Sequence, residues 1–207
     1  WEFMGIPLDI DPNVLIPRAD TELLAECAIK WLKERGESRV LDLCAGSGCI
    51  GIAIALNCPS GRVILADISP KALAVARRNI RRHDLSARVA CVQADASKPG
   101  SITLGTFDII VSNPPYIPSS DIMDLDPSVR NYEPRLALDG GEDGLDFYRS
   151  IATGYFPLLK RGGALMLECG FGQAPQVRDI LRKSGYTEIK TETDLQGIER
   201  VITCIHE

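Results

Sequence analysis

Residues 41–51 read LDLCAGSGCIG, the end of an apolar strand that runs into three glycines and on toward an apolar helix. Gly46, Gly48 and Gly51 satisfy G-x-G-x-x-G, the fingerprint of turns that bring the backbone close to a nucleotide at a helix N-terminus. The three glycines alone leave open which nucleotide is held. Two acids narrow the choice. Asp67 closes the next apolar run, 21 residues after Gly46, where a carboxylate can take both hydroxyls of a ribose. Asp42 lies inside the strand end, giving Asp42-x-Cys44-x-Gly46-x-Gly48. A dinucleotide turn instead places its glycines directly after the apolar strand.

Outward from this turn, short apolar runs alternate with amphipathic stretches. Strands are expected at Arg39–Leu43, Arg62–Ala66, Arg88–Gln93, Phe107–Ser112, Ala164–Glu168, Thr187–Thr193 and Val201–Ile205. Asp20 or Thr21 is expected to cap a helix reaching Arg35, with Gly36 as its stop. Ser69-Pro70 pairs an N-cap with a proline at the first helical position and opens a helix to about His83. Two later helices are expected, from about Leu145 to Lys160, with Gly154 and Pro157 making its end irregular, and from Gln173 to Ser184. The pattern implies a Rossmann-like α/β fold, a mostly parallel, doubly wound sheet with an antiparallel last strand. Phe3–Ile10 alternates around Gly5 and Pro7 and reads as a short β-hairpin. Residues 1–19 are therefore taken as a hairpin and linker, and residues 20–207 as the main domain.

The chain has 207 residues, 45% of them hydrophobic, enough to bury a sizeable core, and a net charge of −5. The acidic balance argues against stable, salt-driven nucleic-acid binding. The longest apolar run, Cys49–Leu56, falls far short of the ~20 residues of a membrane span. Seven cysteines without a C-x-x-C pair, several of them in apolar patterns, read as reduced core thiols. With only two histidines and no paired ligand spacing, no metal site is expected. The absence of an N-terminal signal pattern points to a cytoplasmic protein. The opening WEFMGIPLDID lacks an initiating Met, as a fragment of a longer chain would.

The reaction class comes from Phe107–Tyr116, an apolar strand that ends in Asn113-Pro114-Pro115-Tyr116. Two prolines alone would make a rigid loop. The motif nevertheless stands at the carboxyl end of a strand, where open α/β sheets hold their ligands. The Asn113 side-chain oxygen and the Pro114 carbonyl can accept two hydrogen bonds from one planar NH₂ group, and Tyr116 can stack on it. A delocalised nitrogen attacking a methyl sulfonium needs alignment, worth roughly 7–11 kcal/mol, more than a general base supplies.

With Asp42-x-Cys44-x-Gly46-x-Gly48 the sequence resembles the class I S-adenosylmethionine-dependent methyltransferases, Cys44 standing where their first glycine falls. Asn-Pro-Pro-Tyr resembles the members that methylate planar NH₂ groups, on adenine N6 or on glutamine. Three further stretches choose between them. NVLIPRADTELL (13–24), NYEPRLALDGGEDGLDFY (131–148) and DLQGIERV (194–201) resemble the release-factor glutamine methyltransferases, the PrmC/HemK family. That family methylates the glutamine of the Gly-Gly-Gln motif in peptide chain release factors. Its members commonly have Pro-Glu-Thr-Glu where this chain has Ala19-Asp20-Thr21-Glu22, and they carry a preceding helical domain. The resemblance implies that Cys44, Ala45, Gly46, Ser47, Gly48, Asp67, Asp95 and Ala96 surround S-adenosylmethionine. It further implies that Asn113 faces both cofactor and substrate, with Pro114, Pro115 and Tyr116 holding the glutamine amide.

Charge adds two marks. Arg77, Arg78, Arg81, Arg82 and His83 crowd one helix end, as a solvated face or as a contact for an acidic partner or RNA. The segment 121–146 holds eight acids against Arg130 and Arg135, a rim that suits a protein substrate better than DNA. The rival readings are an adenine-N6 methyltransferase, an NAD(P)-dependent oxidoreductase and a non-catalytic scaffold.

Overall fold

A computed structural model describes all 207 residues. The alternating runs build a seven-stranded sheet in the order β5-β4-β3-β6-β7-β9-β8. Its strands are β3 (Arg39–Leu43), β4 (Arg62–Asp67), β5 (Val89–Gln93), β6 (Phe107–Ser112), β7 (Leu159–Glu168), β8 (Thr187–Thr193) and β9 (Glu199–His206). Strands β3 to β7 pair in parallel, and β9 runs antiparallel between β7 and β8. The chain leaves β3 toward β4 and β5, then returns to place β6 on the other side of β3. This reversal is a topological switch point, which opens a crevice at the carboxyl ends of β3 and β6. The Ser112 hydroxyl donates to the Leu43 carbonyl at 2.8 Å and ties those two strand ends together.

Both faces of the sheet are covered, because alternate strand residues point to opposite sides. Val40, Val63, Leu65, Ile109 and Val111 face α1 (Glu22–Lys33), α2 (Cys49–Asn57) and α3 (Pro70–Arg82). Leu41, Leu43, Ile110, Leu165 and Leu167 face α5 (Asp146–Gly154) and α6 (Ala174–Lys183). Helix α2 is apolar on every side and has seven of its nine residues buried, as a helix wedged between sheet and neighbouring helices requires. The Ser69 side chain caps α3 by accepting from the Ala72 N–H at 3.2 Å.

The expected hairpin forms as β1 (Glu2–Phe3) paired with β2 (Ile6–Pro7), and Phe3 and Leu8 enter the core beside α1. Helix α3 holds the segment that follows. Arg78 and Arg82 each donate at 2.6 Å to Asp11 and Asp9, and the His83 ring donates to the Pro7 carbonyl at 2.8 Å. Three members of the basic cluster are thus committed to the chain's own N-terminal segment. Buried Asn79 binds both the N–H and the carbonyl of Asp9 and also donates to the Ser47 carbonyl, so this segment braces the glycine turn.

Two expectations are corrected. The helix expected over 145–160 stops at Gly154, because Pro157 has no N–H to continue the ladder. A 3₁₀ turn follows at Phe156–Leu158, and β7 begins at Leu159, with a register shift before Ala164. Neither Asp20 nor Thr21 caps α1, which begins through a 3₁₀ turn at Ala19–Thr21 and ends at Lys33. The long segment after β6 is ordered along its length. It carries short helical turns at Asp121–Asp124, α4 (Pro127–Arg130) and Arg135–Ala137, and its Glu133 forms an ion pair with Arg18.

Candidate active site

The turn after β3 adopts left-handed backbone at three alternate residues, Cys44 (φ +58°), Gly46 (φ +54°) and Gly48 (φ +83°). Cysteine in the first glycine's place thus takes up the same left-handed conformation. A side chain on Gly46 would meet no atom within 4 Å, so the turn leaves an open cradle over its backbone. Gly48 and Gly51 serve packing instead. A Cβ on Gly48 would lie 2.8 Å from Leu65, and one on Gly51 would lie 2.3 Å from Leu65.

Two carboxylates shape this turn. Asp67 accepts the Gly46 N–H at 2.9 Å and the Ser69 N–H at 2.8 Å, which fixes the plane of its carboxylate. Burial raises its pKa, opposed by the backbone N–H groups of Ser69, Gly46 and Ile68. Asp42 is fully buried beneath the turn, and its Oδ2 accepts the Gly51 N–H while Oδ1 has no partner. Burial pushes its carboxyl up to about 7 against the pull of that bond.

The crevice at the switch point holds about 730 Å³ of empty space, part of it open to solvent. Of the residues expected to form the site, Cys44, Gly46, Asp67, Ala96, Asn113 and Pro115 line it. Ala45, Ser47, Gly48, Asp95, Pro114 and Tyr116 do not. Ala45, Ser47, Gly48 and Pro114 are buried behind the wall. The Asp95 carboxylate, next to lining residue Ala96, accepts from Ser97 and pairs with Lys98, which together lower its pKa. Tyr116 packs in a tight seat where side chains on Gly140 or Gly170 would strike it. Burial pushes its hydroxyl up to about 12, so it stays neutral.

The donor set fits S-adenosylmethionine. Asp67 offers a fixed carboxylate for a ribose diol, Gly46 offers an open cradle, and Ile68, Ala94, Ala96, Leu136 and Phe147 supply apolar walls for a flat base. Asn113 joins this crevice to the substrate side. Its Nδ2 donates to the Thr21 hydroxyl at 3.1 Å, while its Oδ1 and the Pro114 carbonyl have no partner within the chain.

Several members of the site escape the sequence reading. Gln173 donates to the carbonyls of Tyr116 (2.9 Å) and Gly144 (3.3 Å), pinning the Asn-Pro-Pro-Tyr loop from the start of α6. Nothing in its local sequence announces this. Glu168 ends β7 beside Asn113 and is 3% exposed. An acid closing an apolar run is the same signal that marks Asp67, so Glu168 was within reach. Arg200 on β9 pairs with Asp194 at 3.0 Å and with Asp20 at 3.3 Å, and it is the cation that acts on Glu168.

The fold and the crevice define a class I S-adenosylmethionine-dependent methyltransferase, and residues 19–124 match the family model of the methyltransferase small domain. A release factor glutamine methyltransferase of Geobacter sulfurreducens is 45% identical over 97% of this chain and 69% of its own length. The chain belongs to the release factor glutamine methyltransferase family. A solved protein-(glutamine-N5) methyltransferase of Alicyclobacillus acidocaldarius superposes with a TM-score of 0.57 at 34% identity, covering 96% of this chain and 99% of that one. The hMettl16 catalytic domain, solved with an RNA hairpin, superposes with a TM-score of 0.77 over all of this chain and 76% of its own. At 16% identity that likeness shows the fold alone.

Proposed function

We propose that the protein transfers a methyl group from S-adenosylmethionine to the side-chain amide nitrogen of the glutamine in the Gly-Gly-Gln motif of a peptide chain release factor. One observation carries this reading: the two acceptors at the end of β6, Asn113 Oδ1 and the Pro114 carbonyl, are unengaged beside the crevice. A primary amide has two N–H donors in one plane, and this pair of acceptors matches them. The cofactor supplies an electrophilic methyl group on a sulfonium. Asn113 and Pro114 orient the amide nitrogen along the attack line, Pro115 keeps the loop rigid, and Tyr116 offers a neutral face for the flat amide. The nitrogen loses its proton after attack, so alignment rather than a strong base is the main demand.

Asp67 binds the ribose and Cys44, Gly46 and Ala96 line the rest of the cofactor's crevice, while Ala45, Ser47 and Gly48 shape the turn from behind and Asp95 flanks Ala96. The release factor is the partner. The net charge of −5 and the acidic segment beside the crevice support a protein substrate over nucleic acid and argue against stable nucleic-acid binding. No helix is long and apolar enough to cross a membrane. Residues 20–207 form the methyltransferase domain, with residues 1–19 leading into it.

Transfer of labelled methyl from S-adenosylmethionine to a purified release factor tests the proposal, with a Gly-Gly-Ala release factor as control. Label is expected on the glutamine and absent from the control. Label on adenine of added nucleic acid, or label persisting on the control, overturns the substrate assignment.

A further inference from the structure

We infer that Glu168 and Thr21 form a positioning relay that fixes which end of the Asn113 amide faces the substrate. The inference rests on the proposed role of Asn113 as an acceptor for the substrate N–H. It begins with register. Ser112 on β6 is paired with Leu167 on β7, so the next residues, Asn113 and Glu168, leave the sheet side by side. Thr21 closes over them from the start of α1. Thr21 and Glu168 are each 3% exposed, so water does not decide how these groups bond.

The two ends of an amide side chain have almost the same shape, so hydrogen bonds alone choose its orientation. Asn113 places Nδ2 against the Thr21 hydroxyl at 3.1 Å. That hydroxyl has a single proton, and its direction sets the polarity of the chain. Glu168 lies beside both groups, and the Thr21 hydroxyl and the Asn113 amide favour its ionised form. An ionised carboxylate can only accept. The Thr21 proton is therefore drawn to Glu168, its lone pair takes Nδ2–H, and Asn113 presents Oδ1 to the substrate. With Glu168 protonated, the hydroxyl proton is released to bond Asn113 Oδ1. The amide then turns over and meets the substrate NH₂ donor to donor.

The groups that face Glu168 are few. Arg200 on β9 is the cation, Asp20 beside α1 opposes it, and Tyr116, Tyr148, Cys49 and Cys169 complete the surroundings as neutral groups. Burial outweighs Thr21, Arg200 and Asn113 and pushes the carboxyl up to about 7, while its Oε2 has no hydrogen-bond partner. The relay thus switches in the neutral range, and its working form is the ionised one. Turnover should rise with pH through that region.

The test combines kinetics with a direct view of Asn113. Methylation of a release factor is followed from about pH 6 to about pH 9 for the wild type, Glu168→Gln, Thr21→Val and Thr21→Ser, under saturating cofactor. Loss of the relay is expected to lower kcat about 10²-fold, the cost of a misplaced reacting group, with little change in KM. Glu168→Gln is expected to lose the acid limb that the wild type shows, and Thr21→Ser, which keeps the hydroxyl, to recover most of the rate. S-adenosylhomocysteine affinity and thermal stability should stay near wild type in Thr21→Val. In the wild type without substrate, the Asn113 side-chain NH₂ resonance should titrate with Glu168 and cease to do so in Glu168→Gln. An unchanged pH profile in Glu168→Gln overturns the relay, as does an Asn113 resonance indifferent to pH in the wild type. A wild type that labels no release factor instead defeats the proposed function, and the resonance measurement still decides the relay.

Discussion

The Asp42 carboxylate accepts the Gly51 N–H at 2.9 Å, reaching from inside β3 to the first turn of α2 across the glycine turn. The contact exists because Gly51 has no side chain: a Cβ there would lie 3.0 Å from Asp42 Oδ2 and 2.3 Å from Leu65. Strand and helix are thereby locked at a spacing that presents the Cys44–Gly48 turn to the crevice.

Gly51→Ala is accordingly expected to destabilise the protein. Alanine gains about 1 kcal/mol of helix propensity over glycine. Overpacking a buried site costs typically 1–3 kcal/mol, and here Leu65 and Val63 on the sheet leave no room to yield. A Cβ 2.3 Å from Leu65 belongs at the upper end of that range, so chemical denaturation should show a net loss of about 2 kcal/mol. A variant as stable as the wild type would mean that α2 can lift from the sheet at no cost.

Asp42 also gives the fold a pH dependence of definite sign. Its carboxyl titrates near 3.8 when unfolded and at about 7 when folded. As pH rises between those values the unfolded chain releases a proton that the folded one retains, so stability falls, by up to about 4 kcal/mol for this group. Asp42→Asn keeps an oxygen for the Gly51 N–H and removes the titration. Its thermal midpoint should gain on the wild type from about pH 4 to about pH 7 and then hold that lead. Parallel midpoint curves for the two proteins would refute this account. Glu168, also raised to about 7, contributes the same sign in both and so cancels from the comparison.

Cys44 provides a contrasting case. Left-handed backbone costs a non-glycine residue roughly 1–2 kcal/mol, and Cys44 bears that cost at φ +58°. Cys44→Gly relieves it but gives the unfolded chain more freedom, worth about 0.5–1 kcal/mol. The two nearly offset. The variant should fold with stability within about 1 kcal/mol of the wild type, and calorimetry should show S-adenosylhomocysteine affinity changed by less than about tenfold. A larger loss of affinity would assign the thiol itself a role in the crevice.

How much of this was legible in the sequence depended on the range of the interaction. The Asp42–Gly51 turn, the Ser69 cap and the strand ending in Asn113 are local, and their patterns appear as spacing along the chain. The basic run Arg77–His83 was visible, but its partners Asp9 and Asp11 lie about seventy residues away, so spacing could not show that it clamps the N-terminal segment. Thr21 looked like a helix cap because a hydroxyl before an apolar run is usually one. Tertiary context gave that oxygen to Asn113, 92 residues on. Gln173 left no trace, since its work is to satisfy backbone carbonyls of a loop fixed only by the fold.

Asp67→Ala should lower stability and cofactor affinity together. The carboxylate holds the Gly46 and Ser69 N–H groups as well as lining the crevice. Removing it strands two backbone donors, each costing about 1–3 kcal/mol if water does not reach them. Calorimetric titration with S-adenosylhomocysteine should show at least a tenfold loss of affinity, equivalent to about 1.4 kcal/mol. Unchanged affinity would remove Asp67 from the cofactor site.

Asn113→Ala separates alignment from binding. Asn113 touches the crevice at its edge, whereas Asp67 and the glycine turn form the cradle. Losing the amide leaves Thr21 with one fewer partner but creates no buried charge, so folding should survive with a cost of about 1 kcal/mol. Substrate amide held by the Pro114 carbonyl alone can rotate about that single contact, and the nitrogen lone pair drifts off the attack line. Turnover with a release factor should fall by about 10² or more, while S-adenosylhomocysteine affinity stays within a few-fold. The opposite pattern, affinity lost and residual chemistry normal, would make Asn113 a cofactor ligand and leave the orienting of the glutamine amide to the Pro114 carbonyl and Tyr116.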